Sequence, residues 1–330
     1  MSRVLVTGGA GYVGSVCAEE LLRQGHQVSI VDNLSTGHRH AVPDGAEFHA
    51  IDIGNAADLR AVLSANRFDA VFHFAAKALI PESVTNPSIF YDVNFVAAKT
   101  MIDEIRQAGI KRVVFSSTAA VYGDPVEMPI PEDHPKAPVN SYGETKLAYE
   151  RLLEWYAKAY GLSVCAFRYF NASGATQAHG EEHVPETHIL PLLFEAGVGE
   201  REFFTIFGTS YPTPDGSCLR DFVHVLDIAQ AHILAMKKEF SPSFRAYNIG
   251  LGKSYSVKEI HAHAERVTGL KIPIREGAAR PGDPAVLCAS PKRLMEELGW
   301  NPVHSSLDNI IETAWAWKNR ARPATAASGK

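Results

Sequence analysis

The chain has no unbroken apolar run of the ~18–20 residues that a bilayer-spanning helix needs, so its 330 residues give no reason to expect a membrane partner. It also has no surplus of positive charge. Its 32 Lys and Arg stand against 37 Asp and Glu, a formal net charge of −5, which argues against a nucleic-acid surface. Cysteine is scarce: Cys17, Cys165, Cys218 and Cys288 are widely spaced and form no CxxC pair. That pattern excludes a disulfide framework and suggests reduced thiols in the cytoplasm. Clustered metal ligands are missing as well, since the 14 histidines form no HExxH or comparable motif, and no metal is expected. The charged start, apolar middle and small-residue cleavage site of a signal peptide do not precede Arg3, which again leads to a cytoplasmic expectation. No internal repeat occurs. What remains is an ordinary globular composition, 46% apolar and 21% charged, in a chain long enough for two domains or one large domain with an appendage.

What the sequence does have is alternation. Candidate strands are Arg3–Thr7, Val28–Val31, Glu47–Ile51, Ala70–Phe74, Arg112–Ser116 and Ser163–Arg168. Several are continuous apolar runs, as in parallel strands buried on both faces. Helical patterns lie between them at Val13–Gln24, Ala57–Ala65, Pro87–Ala108 and Gly143–Tyr160. This order predicts right-handed βαβ units and a doubly wound parallel α/β sheet of the Rossmann type. After about Asn171 the pattern loosens, and residues 172–216 are rich in Gly, Pro, His and Thr. Helical patterns return at Val225–Lys238, Val257–Thr268, Pro291–Leu298 and Leu307–Lys318, with one more candidate strand at Ala246–Ile249. The expected organisation is a dinucleotide-binding domain over 1–172 and a smaller α/β substrate domain over 173–330. Segments of about 221–250 are expected to return to the sheet. The small polar residues Arg322–Lys330 are expected to be disordered.

The first strand ends in Thr7-Gly8-Gly9-Ala10-Gly11-Tyr12-Val13-Gly14. Gly8 and Gly11 let the backbone turn tightly and approach a pyrophosphate, and Gly14 lets the following helix pack close to the sheet. A glycine triplet alone is weak evidence; between a strand and a helix it gains its meaning. Asp32 ends the second strand, 18 residues beyond Gly14. A carboxylate there accepts hydrogen bonds from ribose hydroxyls and repels a 2′-phosphate, so NAD is expected over NADP. His38 and Arg39 just beyond it are the only hint of NADP.

A second signal is Tyr142-Gly143-Glu144-Thr145-Lys146. Tyr142 and Lys146, four apart at a helix start, share one face. A free tyrosine is a poor base at neutral pH. An ammonium about 4 Å away is worth roughly 4 kcal/mol at an effective dielectric near 20, enough to lower the phenol's pKa although desolvation opposes it. Tyr142 then becomes able to take a proton from a sugar hydroxyl as hydride leaves the same carbon. Thr118 ends a strand at the same sheet edge, where its hydroxyl can bridge the substrate and Tyr142.

With these motifs in hand, the chain resembles the extended short-chain dehydrogenase/reductase family, and within it the UDP-glucose 4-epimerase branch, from about Arg3 to Trp300. The stretches that carry the resemblance are TGGAGYVGS (7–15), VDNLSTG (31–37), HFAA (73–76), SSTAAVYG (116–123), NSYGETK (140–146), RYFNASGA (168–175), LRDFVHVLD (219–227) and ARPGDPA (279–285). The resemblance implies interconversion of UDP-galactose and UDP-glucose through a transient 4-keto sugar and bound NADH. It implies a catalytic set of Tyr142, Lys146 and Thr118. NAD contacts are implied for Gly8, Gly11, Tyr12, Val13, Gly14, Asp32, Asn33, Thr36, Gly37, Asp52, Ile53, Phe74, Ala75, Ala76, Asn94, Ser116, Tyr142, Lys146 and Tyr169. For the UDP-sugar it implies Thr118, Tyr142, Asn171, His188, Ile189, Phe207, Arg220, Arg280, Asp283 and Leu287. The permanently charged forks of Arg220 and Arg280 suit a diphosphate, and Asp283 suits ribose hydroxyls. A homodimer is also implied, through the helices carrying Val93–Ala108 and Leu147–Tyr160. The apolar stripe Leu152, Leu153, Trp155 and Tyr156 fits that pairing and fits core packing equally well.

Some positions depart from the family pattern. Thr118 replaces a serine and keeps the hydroxyl. His188 stands where some relatives have asparagine. Lys77 has no assigned role. Leu287 is smaller than the tyrosine of some members, so N-acetylated sugars are expected to fit as well. Epimerases of other UDP sugars, such as UDP-xylose or UDP-glucuronate, stay open as alternatives. A 4,6-dehydratase is disfavoured because Ala119 and Ala120 stand where dehydratases carry Asp-Glu. A non-catalytic NAD-sensing protein is disfavoured because the tyrosine and the lysine are both kept.

Overall fold

Apolar runs without polar alternation make strands that must be covered on both faces. The computed structural model, which describes residues 1–238, 241–280 and 283–320, covers them in that way. The strands β1 (Arg3–Thr7), β2 (Gln27–Val31), β3 (Glu47–His49), β4 (Ala70–His73), β5 (Arg112–Thr118) and β6 (Ser163–Tyr169) join the late strand Ser243–Ile249 in one sheet. The spatial order is Ser243–Ile249, β6, β5, β4, β1, β2, β3, and every pair is parallel. The order reverses between β1 and β4, which opens a crevice at the C-terminal ends of these strands.

Eight helices are needed to describe the site: α1 (Tyr12–Arg23), α2 (Ala56–Ala65), α3 (Ile80–Thr85), α4 (Pro87–Tyr91), α5 (Ala98–Gln107), α6 (Ser141–Tyr160), α7 (Ile189–Gly197) and α8 (Val225–Lys237). On one face of the sheet, Cys17 and Leu21 of α1 and Ile228 and Ala229 of α8 pack with Val4, Val6 and Phe72. On the other face, Leu59 of α2, Ile102 of α5 and Tyr149 and Leu153 of α6 pack with Leu5, Val71 and Phe115. A separate core unites Leu193 and Phe194 of α7 with Phe222, Ile260, Ile310 and Ile311. No described helix is long and apolar enough to cross a membrane.

Helix α6 is the longest element, with 20 residues. Asn140 caps it by accepting from Gly143 N at 2.9 Å, and Gly161 ends it with φ 68°. Its inner face carries Glu150, whose carboxylate meets Arg168 of β6 at 2.7 Å with both side chains at least 97% buried. Arg168 also donates to Tyr122 Oη and to the Glu132 carbonyl, each at 2.8 Å, so the buried charges are fully paired.

The structure departs from sequence expectation at two places. The single helix expected over 87–108 is three pieces: α4, a π-helical turn at Asp92–Ala97, and α5. The extra residue in the wider turn rotates Asn94 inward, where it accepts from Lys77 N at 2.8 Å and donates to Lys77 O at 3.0 Å and Thr145 Oγ1 at 3.2 Å. The stretch 172–216, read only as loop-rich, contains α7 and the strand Phe204–Phe207, which pairs with Ile274–Gly277. The expectation for Arg322–Lys330 lies outside the described residues.

Candidate active site

The glycine turn is shaped by close backbone approach. A Cβ on Gly8 would lie 2.4 Å from Ala75 N, and one on Gly14 would lie 2.2 Å from Gly8 O, so only glycine fits either position. A Cβ on Gly11 would meet nothing nearer than Gly8 O at 3.4 Å, which leaves an open face above the turn. Helix α1 starts here without a side-chain cap and without an acid in its first turn. Its leading N–H groups and the positive end of its dipole therefore face the cleft. These features fit a dinucleotide pyrophosphate.

Asp32 sits at the far edge of the turn, 8% exposed. It accepts from Ala10 N at 3.0 Å and Leu34 N at 2.8 Å, and burial pushes its pKa up against those two hydrogen bonds. Leu34 adopts φ 57° to reach it, the one positive φ outside glycine among the described residues. Each carboxylate oxygen keeps a lone pair for a ribose hydroxyl. Asn33 donates to Asp52 Oδ2 at 2.6 Å and so joins the segments that follow β2 and β3. His38 Nε2 meets the Glu182 carbonyl at 3.1 Å and the Arg39 guanidinium lies 4.5 Å over the Phe48 ring, so both residues that hinted at NADP are engaged elsewhere.

Tyr142, Lys146 and Thr118 meet at the C-terminal end of β5. Thr118 Oγ1 accepts from Ala120 N at 3.1 Å, which frees its hydrogen for Tyr142. Lys146 is 3% exposed, donates to Ser116 O at 2.8 Å, and lies 4.9 Å from the Phe115 ring centroid and 6.0 Å from that of Tyr142. Burial lowers the Lys146 pKa to about 7, although the Glu150 carboxylate raises it. In the chain itself burial raises the Tyr142 pKa while the Thr118 hydrogen bond lowers it. Without the cofactor the spacing does not make the phenol acidic: the lysine is held on the Ser116 carbonyl, with Nζ 6.0 Å from the Tyr142 ring centroid. The positive charge of an oxidised nicotinamide would oppose the effect of burial on the phenol. Tyr169 Oη lies 2.8 Å from His232 Nε2; because His232 Nδ1 donates to Ile228 O, Nε2 must accept, and the tyrosine hydroxyl is fixed as donor.

The opposite wall carries cations. Arg220 is paired with Asp283 through Nη2 and Oδ1, with its side chain 11% exposed. Arg280 lies 4.0 Å over the Phe207 ring. Asp283, read as a ribose acceptor, is therefore first a partner that orients Arg220. Residues 281 and 282 of the 279–285 stretch lie outside the described residues. His188 precedes α7, and although burial lowers its pKa, Glu181 and Glu186 raise it to about 9.

One cleft of about 1780 Å³ joins these groups. It is lined by every residue expected to hold dinucleotide or sugar except Asn94. Asn94 is 2% exposed, and its amide braces the backbone of Lys77, which does line the cleft. Gly143, which sequence reading passed over, has a sequence signal: glycine in the first turn of a helix lowers helix propensity and marks close approach. His232 carried no such signal, because its partner Tyr169 lies 63 residues away. The expectation of no metal cluster also meets a difference, since the fold gathers Glu181, His183 and His188 beside the cleft.

Comparison with known proteins yields consistent matches. A profile of the NAD dependent epimerase/dehydratase family matches residues 4–250. A UDP-glucose 4-epimerase of Corynebacterium glutamicum is 46% identical over 315 residues, 96% of this chain and 95% of its own length. The crystal structure of UDP-glucose 4-epimerase from Brucella ovis in complex with NAD superposes with a TM-score of 0.92 at 43% identity, covering 95% of this chain and 97% of that one. The enzyme of the same name from Bifidobacterium longum, in complex with NAD+ and UDP, superposes with a TM-score of 0.91 at 31% identity, covering 96% and 98%.

Proposed function

The chain belongs to the NAD dependent epimerase/dehydratase family, and from that premise we propose that it is a UDP-glucose 4-epimerase, interconverting UDP-galactose and UDP-glucose on a resident NAD. The observation that carries this reading is the meeting of Tyr142, Thr118 and Lys146 with an uncapped glycine turn in one cleft. Bound NAD supplies a hydride acceptor that gives back what it takes, as inversion through a 4-keto sugar requires. Tyr142 takes the proton of the sugar 4-hydroxyl and later returns it. Thr118 orients that exchange by donating toward the phenol. Lys146, fixed on the Ser116 carbonyl with its Nζ 6.0 Å from the Tyr142 ring centroid, adds attraction for the phenolate. Arg220 and Arg280 hold the diphosphate while the keto sugar turns over between them and Tyr142. Asp32 holds the adenosine ribose and disfavours a 2′-phosphate.

The buried free thiols accord with a cytoplasmic protein. The proposal includes a homodimer through α5 and α6. Trp155 is 69% exposed on α6 and Val96 is 55% exposed just before α5, while Leu153 of the same apolar stripe belongs to the core. Leu287, in the cleft wall, leaves room for an N-acetyl group, so the assay includes UDP-N-acetylgalactosamine beside UDP-galactose. Tyr142→Phe should retain NAD and UDP in calorimetric titration yet lose turnover by about 10²–10⁴-fold, the usual share of one acid–base group. Turnover within tenfold of the parent chain would remove Tyr142 from the role of base.

A further inference from the structure

Residues 180–188 fold back on themselves beside the cleft. Their turn brings one ligand-type atom each from Glu181, His183 and His188 within 4.8 Å of the others. Glu181 Oε1 meets His183 Nδ1, and Glu181 Oε2 lies 3.6 Å from His188 Nδ1. His188 Nδ1 also has Glu186 Oε1 at 2.8 Å, and the two imidazole centroids are 5.3 Å apart. The Glu181 side chain is only 9% exposed, and its Oε2 is a buried oxygen with no hydrogen-bond partner. A buried carboxylate oxygen left without a donor calls for an explanation.

We propose that Glu181, His183 and His188 form a binding site for a divalent transition metal of the zinc class, with its fourth position open to the cleft. Around a tetrahedral ion with bonds of about 2.0–2.1 Å, donor atoms stand about 3.4 Å apart. The 3.6 Å pair is already near that spacing, and small side-chain rotations set the rest. Two imidazoles and one carboxylate select zinc or cobalt over calcium or magnesium. Glu186 Oε1 and Glu181 Oε2 stand 2.8 and 3.6 Å from His188 Nδ1, so two carboxylates already face the place a cation would take. Because Glu181, His183 and His188 all line the cleft, an ion held by them stands in space that the UDP-sugar would enter. The metal is therefore an inhibitor competing with the UDP-sugar. This second half rests on the epimerase reading, whereas metal binding does not.

The test uses the full chain, stripped with a chelator and exchanged into chelator-free buffer, then titrated with Co²⁺. One equivalent should bind and give the visible bands of a tetrahedral nitrogen–oxygen site. His183→Gln, or Glu181→Gln if the first variant melts early, should lose the bands. Bands that persist in both variants, or a sulfur charge-transfer band, would overturn the site. Zn²⁺ should raise the apparent KM for UDP-galactose in the parent chain and act at least tenfold more weakly on His183→Gln. Equal sensitivity of the two chains would overturn the inhibitory role. Absence of epimerase turnover in the metal-free parent would instead tell against the proposed function, with the cobalt result still deciding the site.

Discussion

Lys146 is a charge placed where the fold would rather have none. It is 3% exposed, its one hydrogen bond goes to a carbonyl, and burial lowers its pKa to about 7. In the unfolded chain a lysine keeps its proton up to about pH 10.4. Between about pH 7 and 10 the unfolded state therefore binds more protons, and parent stability rises with pH; below about 7 the full penalty is present. Lys146→Met removes that penalty. The Tm of the variant relative to the parent should be most favourable near pH 7, and the difference should shrink steadily toward pH 10. A pH-independent difference in melting scans would show that Lys146 carries no unusual proton affinity. Turnover should fall in the same variant, since Tyr142 then loses the Lys146 cation positioned near its ring. The YxxxK spacing revealed the pair, but not the 30-residue link from Lys146 to the Ser116 carbonyl that sets its position.

At the level of elements, catalysis depends on how closely α6 sits on the end of β5. A Cβ on Gly143 would lie 2.5 Å from Ala120 O, a backbone atom that cannot swing aside. Gly143→Ala should therefore lift the first turn of α6, separate Tyr142 from Thr118 and cost about 1–3 kcal/mol in denaturant unfolding. Turnover should fall further than the loss of folded protein explains, while NAD titration stays near the parent value. Equal losses in stability and activity would mean that the approach is merely structural. Helix periodicity located α6 to within two residues at its start and at the same end. It missed the π-helical turn at Asp92–Ala97, because the apolar pattern there continues while Asn94 answers to Lys77 and Thr145, 17 and 51 residues away. Local patterns record local forces, and this turn is held by distant ones.

At the scale of the whole molecule, the parallel sheet and the glycine turn were legible because both are dictated by near neighbours: apolar strand runs and the stretch 7–15. The cleft's second wall was not legible from local pattern and entered only through the family resemblance, which named Phe207, Arg220 and Arg280; the core behind it, Leu193 and Phe194 of α7 with Phe222 and Ile310, is assembled by long-range packing. The same distinction applies to the outer surface. Of the apolar stripe on α6, Leu153 is absorbed by the core and Leu152 and Tyr156 pack partly against it. Trp155 is left 69% exposed, with the Lys158 ammonium 5.0 Å from its ring. A tryptophan buried by a second copy is the kind of residue that carries most of an interface's affinity. Trp155→Glu places a charge in the proposed interface and nothing in the core. Sedimentation should therefore show a dimer for the parent chain and a monomer for the variant, with unchanged far-UV dichroism. A dimer of undiminished affinity in the variant would move the interface away from α6.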